Sequence, residues 1–235
     1  MENVLRIKEE EIKNETVSNI IYKLFWVYII CGVAGFGIET IWCWIDFQEF
    51  SSRSSDIFFP ISWVWGVGGV MLYLFTVKNR WNHILYIFAK CTVLGAAFEF
   101  LCGYLGEKIL EVTFWDYSGM PLHIGRYINI PFCLFWGLLG IIWVKKICPV
   151  IDRKLKKPST AFSQWMLRAF LIFIIFTQLL TGVALLRMHA RQQGRESRNY
   201  IEYILDCCFN DQLLHSFFPK MKPVVPIYLK SVVLV

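Results

Sequence analysis

The sequence has no G-x-x-x-x-G-K-[ST] loop, so the chain does not itself hold ATP in the P-loop manner. It also lacks H-E-x-x-H, G-x-S-x-G and any dense His/Asp cluster, which leaves no nucleophile with its base and no zinc-ligand spacing. No catalytic residue, metal or cofactor is therefore expected. No C-x-x-C pair occurs among the eight cysteines, at 31, 43, 91, 102, 133, 148, 207 and 208. Most lie in or at the ends of apolar runs, where a thiol serves as a small, soft packing residue. No small-residue cleavage site follows the first apolar run, which reads as a transmembrane helix rather than a removed leader. Charge is scarce too: 18% of the residues are Asp, Glu, Lys or Arg.

Apolar surface is what the chain has in excess. Hydrophobic residues make up 56% of it, aromatics 17%, and mean hydropathy is +0.48. That is too apolar for an ordinary soluble domain and fits a multi-span membrane protein. Five runs approach the ~20 residues a helix needs to cross the hydrocarbon core. They cover about Ile20–Ile45, Phe58–Val77, Ile84–Leu105, Ile128–Ile147 and Phe162–Leu186. The predicted fold class is all-α and integral to the membrane: about five transmembrane helices, built as two parallel helical hairpin repeats plus a fifth helix. The divisions are a cytoplasmic N-terminal segment 1–19, hairpins 20–77 and 84–147, a basic loop 148–161, the fifth helix 162–186 and a polar, amphipathic tail 187–235.

The net charge of +6 is informative through its placement. Seven Lys and Arg fall between Lys145 and Arg168, which reads as a cytoplasmic loop against anionic headgroups and, with five spans, puts the N-terminus inside. Nucleic acid is excluded as a partner because the cluster is wedged between two spans. A second basic group, Arg187, Arg191, Arg195 and Arg198, conflicts with this count by falling outside. Apolar residues at Tyr200, Ile201, Ile204, Leu205 and Phe209 predict a short amphipathic helix after it.

The two hairpins repeat each other. Cys31, Gly35 and Glu39 in span one match Cys91, Gly95 and Glu99 in span three. Pro60, Trp65, Gly66 and Gly69 match Pro131, Trp136, Gly137 and Gly140. Residues four apart share a helical face, so each first helix carries a stripe of small and acidic side chains. Small residues let helices approach closely, and the acids must face protein or water. Glu39 and Glu99 are therefore expected to flank an outward-opening cavity and to bind a cation, proton or amine. The competing reading is structural: carboxylates hydrogen-bonded to Trp, Tyr or backbone. Arg126 is the expected counter-ion, and Glu107 is expected at the outer interface. Trp115, Asp116, Tyr117 and Ser118, with Pro121 beyond, read as an interfacial turn. His123 has no ligand-spaced partner.

These pieces carry a family resemblance: the glycine run ending in Glu39, the stretch Pro60 to Gly66, E-F-L-C-G-Y-L-G-E-K from Glu99, W-D-Y-S-G-M-P from Trp115, G-R-Y-I from Gly125 and F-W-G-L-L-G from Phe135. R-M-H-A-R-Q-Q-G from Arg187 and N-D-Q-L-L-H-S-F-F-P-K-M from Asn210 extend it into the tail. With these motifs the chain resembles the ABC-transporter type IV permease-like family of bacterial multi-span membrane proteins. Trp63 and Trp65 depart from that family's pattern. The resemblance implies a permease-like transport component of the cell membrane whose ATP-binding subunit is a separate chain, with the lipid bilayer and a second copy as further partners. A non-transporting scaffold or sensor is one alternative. An intramembrane enzyme using Glu99, Asp116 and Arg126 on a lipid-borne substrate is the other.

Overall fold

The computed structural model describes residues 17–48, 52–110, 112–113, 115–155, 161–219 and 222–223. Segment 1–16 and, in the basic loop, Lys156 and Lys157 lie outside the described residues. The helices are α1 (Val17–Phe47), α2 (Trp63–Thr76), α3 (Ile84–Leu110) and α4 (Ile130–Ile142), which runs through a π-helical turn (Trp143–Ile147) into α5 (Cys148–Lys154). Then come α6 (Ala161–Gln192), α7 (Tyr200–Cys208) and α8 (Asp211–Phe217). Local chemistry explains the joins. Pro131 and Pro149 stand in the first turns of α4 and α5, where a missing N–H is harmless. Pro149 has no N–H to offer the Lys145 carbonyl, and the wider π turn lies just before it. Asn199 and Asn210 cap α7 and α8 by accepting from the Glu202 and Leu213 N–H groups.

Four stretches are long and apolar enough to cross a membrane: Ile20–Ile45, Ile84–Ile109, Ile130–Lys154 and Gln164–Gln192. The protein is all-α and multi-pass. The exception is α2, whose 14 residues reach only ~21 Å at 1.5 Å per residue, short of a ~30 Å hydrocarbon core. The helix expected from Phe58 starts at Trp63 instead, because segment 52–62 dips irregularly into the bundle. Its Ser62 N–H donates to the Gly32 carbonyl at 3.0 Å, near the middle of the α1 apolar stretch. Non-helical backbone is tolerated at that depth only when protein satisfies it. Here the Asp56 carboxylate accepts from the Phe58 and Phe59 N–H groups at 2.7 and 3.1 Å. The Ser54 hydroxyl lies 2.6 Å from the Phe59 carbonyl. Ser54, Asp56, Ile61 and Ser62 are all buried.

The hairpins α1–α2 and α3–α4 are antiparallel pairs with one plan. Gly35 faces Trp65, Gly66 faces Tyr28 and Gly69 faces Cys31. At the equivalent positions Gly95 faces Trp136, Gly137 faces Phe88 and Gly140 faces Cys91. Glycine is required at these places because the opposing side chain occupies the space a Cβ would need. Both hairpins point the same way. At one end Asp152 gathers Lys23 (3.4 Å), Tyr73 (2.7 Å) and Arg80, while Lys145 donates to the Arg80 and Asn82 carbonyls. Glu39, Arg53, Glu107 and Tyr117 gather at the other. Between the ends, Val27, Leu72, Ile87, Cys91, Trp143, Val144 and Cys148 make one core.

Helix α6 is a single 32-residue element. Gln178 donates to Asp56 at 2.6 Å, and the Thr181 hydroxyl accepts from the Ile57 N–H at 3.3 Å. The tail therefore emerges at the Glu39 end. Two of its four arginines are engaged by the protein's own acids: Arg187 pairs with Asp206 at 2.5 Å and Glu202 at 3.2 Å, and Arg191 pairs with Asp206 and with Asp211 at 2.5 Å. Leu214 and Phe218 close onto Ala184, Leu185 and Met188. Arg187 and Arg191 of the second basic cluster are thus held in internal ion pairs, while Arg195 and Arg198 are exposed.

Candidate functional site

The repeat brings its two tryptophans together. The Trp65 and Trp136 rings lie 5.5 Å apart between the hairpins, with a carboxylate on the far side of each. Glu39, half-buried, accepts from Trp65 Nε1 at 2.6 Å through one oxygen and from Arg53 Nε at 3.2 Å through the other. Both of its oxygens are satisfied, one of them by a cation. Glu99 is buried, 9% exposed. Its Oε1 accepts from the Tyr117 hydroxyl at 2.6 Å. The Trp136 indole lies beside the same carboxylate, and Oε2 has no hydrogen-bond partner.

Arg126 does not reach Glu99. It pairs with Glu107 at 3.0 Å and Asp116 at 2.9 Å, and Tyr127 donates to the same Glu107 oxygen at 2.5 Å. Glu107 is therefore held in a network at the loop rather than left to solvent. The network forms because β1 (His123–Ile124) and β2 (Ile128–Asn129) pair as a small antiparallel hairpin, turning at Gly125 with φ +63°. The turn aims Arg126 back at the WDYS segment, where the Tyr117 N–H donates to the Arg126 carbonyl at 2.9 Å. Burial alone would raise the Asp116 pKa, but the Ser118 N–H and hydroxyl and the Arg126 guanidinium hold it down to about 2. Burial, and next the hydrogen bond its hydroxyl donates to the Glu107 carboxylate, push Tyr127 up to about 12. Tyr117 lies above the ordinary tyrosine range, first through burial and then through Glu99. Pro121 contributes its carbonyl, which accepts from Asn129 Nδ2 at 2.9 Å and braces the start of α4. Trp115 closes against this loop through the Tyr127 carbonyl at 3.4 Å.

A cavity of about 280 Å³ opens beside Glu39, between segment 52–62, α3, α6 and the tail. Glu39, Arg53, Ser54, Ser62, Gln178 and Thr181 supply its polar edge. Trp63, Leu185, Phe217 and Phe218 make the apolar remainder. Glu99 is not on its wall, although Cys102 and Gly106 on the same helix are. The site thus unites Glu39 with Arg53, Gln178 and Thr181, which composition and spacing do not single out. Their one sequence signal is polarity inside or beside apolar runs. Pro60 and Pro131 are exposed at the starts of their descending segments, and Gly66 and Gly137 serve packing. Among the described residues no group of His, Cys, Asp and Glu is arranged to hold a metal ion.

No curated protein and no solved structure matches the chain. The family model described as "Putative ABC-transporter type IV" matches residues 26–182, from α1 to the cavity-lining stretch of α6, and the chain belongs to that family.

Proposed function

We propose that the protein is a permease-like transport component of the cell membrane, with its N-terminus cytoplasmic and the cavity beside Glu39 as its solute site. One observation carries the reading: an irregular, buried segment descends to mid-membrane depth and lines a cavity edged by an ion pair and hydroxyls. Discontinuous backbone at that depth is expensive, and membrane proteins tolerate it where it lines a pathway or binding site. The cavity's size suits a small solute, and its mixed wall suits one with an apolar body and a polar or charged head. The energy source is a separate ATP-binding subunit. Its docking surface is the basic end, where Lys145, Arg153 and Lys154 precede the loop running to residue 161.

The test is purification from native membranes in mild detergent, with identification of the partners, followed by ATP hydrolysis in proteoliposomes. A stoichiometric ATP-binding subunit whose hydrolysis falls several-fold in Glu39→Gln supports the reading. Recovery of the chain alone or as a homo-oligomer sinks the ATP-driven form.

A further inference from the structure

The two carboxylates of the repeat stand in different electrostatic settings. Glu39 has a guanidinium and an indole N–H, and it keeps contact with a cavity. Glu99 is more deeply enclosed, receives a hydrogen bond from one neutral donor, and has one oxygen without a hydrogen-bond partner, with the Trp136 indole beside it. The groups near it from each adjoining element are Cys102 on its own helix, Cys133 and Trp136 on α4, and Tyr117 on the following loop. Glu39 lies on the far side of the tryptophan pair and adds negative charge. No cation among the described residues is paired with Glu99; Arg126, on the loop that carries Tyr117, is taken by Asp116 and Glu107.

A carboxylate left ionised in such a place pays for desolvation without a counter-charge, whereas an unpartnered oxygen of a neutral carboxyl forgoes only an ordinary hydrogen bond. We propose that Glu99 is a proton-binding site, carrying a proton at neutral pH. The ligand is a proton, and the reaction is its reversible transfer between the Glu99 carboxyl and water. Tyr117 is the relay: its hydroxyl is the group bonded to Glu99, and it belongs to the loop whose next residue back, Asp116, is exposed. The tryptophan pair then links the proton site to Glu39, since ionising Glu99 draws the Trp136 N–H toward it and shifts the ring against Trp65. This last step rests on the transport reading; the proton site itself does not.

The experiment is infrared spectroscopy of the full-length protein in lipid nanodiscs at pH 7, observing the carbonyl stretch of protonated carboxylic acids. The expected result is a band that is lost in Glu99→Gln, retained in Glu39→Gln, and moved to higher frequency in Tyr117→Phe, where the carboxyl loses its hydrogen bond. A spectrum without that band, or a band lost in Glu39→Gln and kept in Glu99→Gln, overturns the proposal. Tyr117→Phe keeps the test alive should Glu99→Gln not fold, because an unshifted band would place the proton on another carboxyl. The transport reading fails separately, through the partner purification, and leaves the band where it is.

Discussion

The first and second hairpins place glycine, cysteine and tryptophan at the same contacts, yet they differ wherever the connecting segment meets the carboxylate. In the first, an irregular segment descends to the level of Gly32 and brings Arg53 to Glu39. In the second, a two-stranded turn stays above α4 and lowers Tyr117 onto Glu99. The helices carry the architecture and the connecting segments carry the chemistry. A duplicated frame has given one acid an ion pair beside a cavity and the other a neutral partner in an enclosed site.

The largest way to break the comparison is to attack what the hairpins share. Gly35→Leu and Gly95→Leu would drive a side chain into Trp65 and Trp136, and each is expected to cost about 1–3 kcal/mol or prevent folding. Gly37→Leu and Gly182→Leu meet open space and should melt within a degree or two of the parent in detergent, a span of about 0.5 kcal/mol. If Gly35→Leu melts like Gly37→Leu, the shared packing does not hold the frame.

A smaller effect follows from exchanging the partners. Arg53→Gln leaves Glu39 with the indole alone, and because both groups are a quarter to a third exposed the loss should be about 1 kcal/mol. It should shrink in high salt, since water and ions screen the pair. Tyr117→Phe should cost about the same but stay insensitive to salt, since its partner is enclosed and neutral. Thermal melts at low and high salt separate the two, and equal salt dependence would erase the distinction between the sites.

The relation between the ends of the molecule is open to labelling. Cys207 and Cys208 are exposed, whereas the remaining cysteines are buried or partly buried. A membrane-impermeant maleimide applied to intact cells is expected to label the pair from outside, and the Cys207→Ser, Cys208→Ser double variant should lose nearly all of that signal. Labelling only after the membrane is opened would invert the orientation proposed from Lys145, Arg153 and Lys154.

Much of the frame could be read from spacing. Residues four apart on an apolar run can only form a helical stripe, so the Cys–Gly–Glu repeat announced two equivalent helices. The same logic misplaced the start of α2, because Phe58, Phe59, Pro60 and Ile61 are as apolar as a helix and nothing local shows that the segment bends inward. That bend depends on Gln178 and Thr181, which lie far along the chain and bond to Asp56 and Ile57. The place of Arg126 at the outer mouth of α4 makes it the expected counter-ion of Glu99, but the turn at Gly125 aims it at Glu107 and Asp116. Pairings of this kind depend on side-chain direction across elements, which periodicity does not encode.

The smallest effect sharpens the second hairpin's connecting segment. Asp116 is largely solvent-exposed, so its ion pair with Arg126 is screened and should contribute only about a few tenths of a kcal/mol. Its carboxyl is held down at about 2 against an ordinary 3.8, so its contribution is complete above the ordinary value and is lost as pH falls from 3.8 toward 2. Asp116→Asn lacks this contribution at every pH. The parent should therefore be slightly more stable at neutral pH, and the two stability curves should converge as acid is added through that window. The gap should close at neutral pH as well when salt is raised, because an exposed pair is screened where the enclosed Tyr117–Glu99 contact is not. Curves that stay parallel down to pH 2 would mean that Asp116 holds the turn through the Ser118 N–H alone, a contact asparagine can reproduce, and that Arg126 serves Glu107.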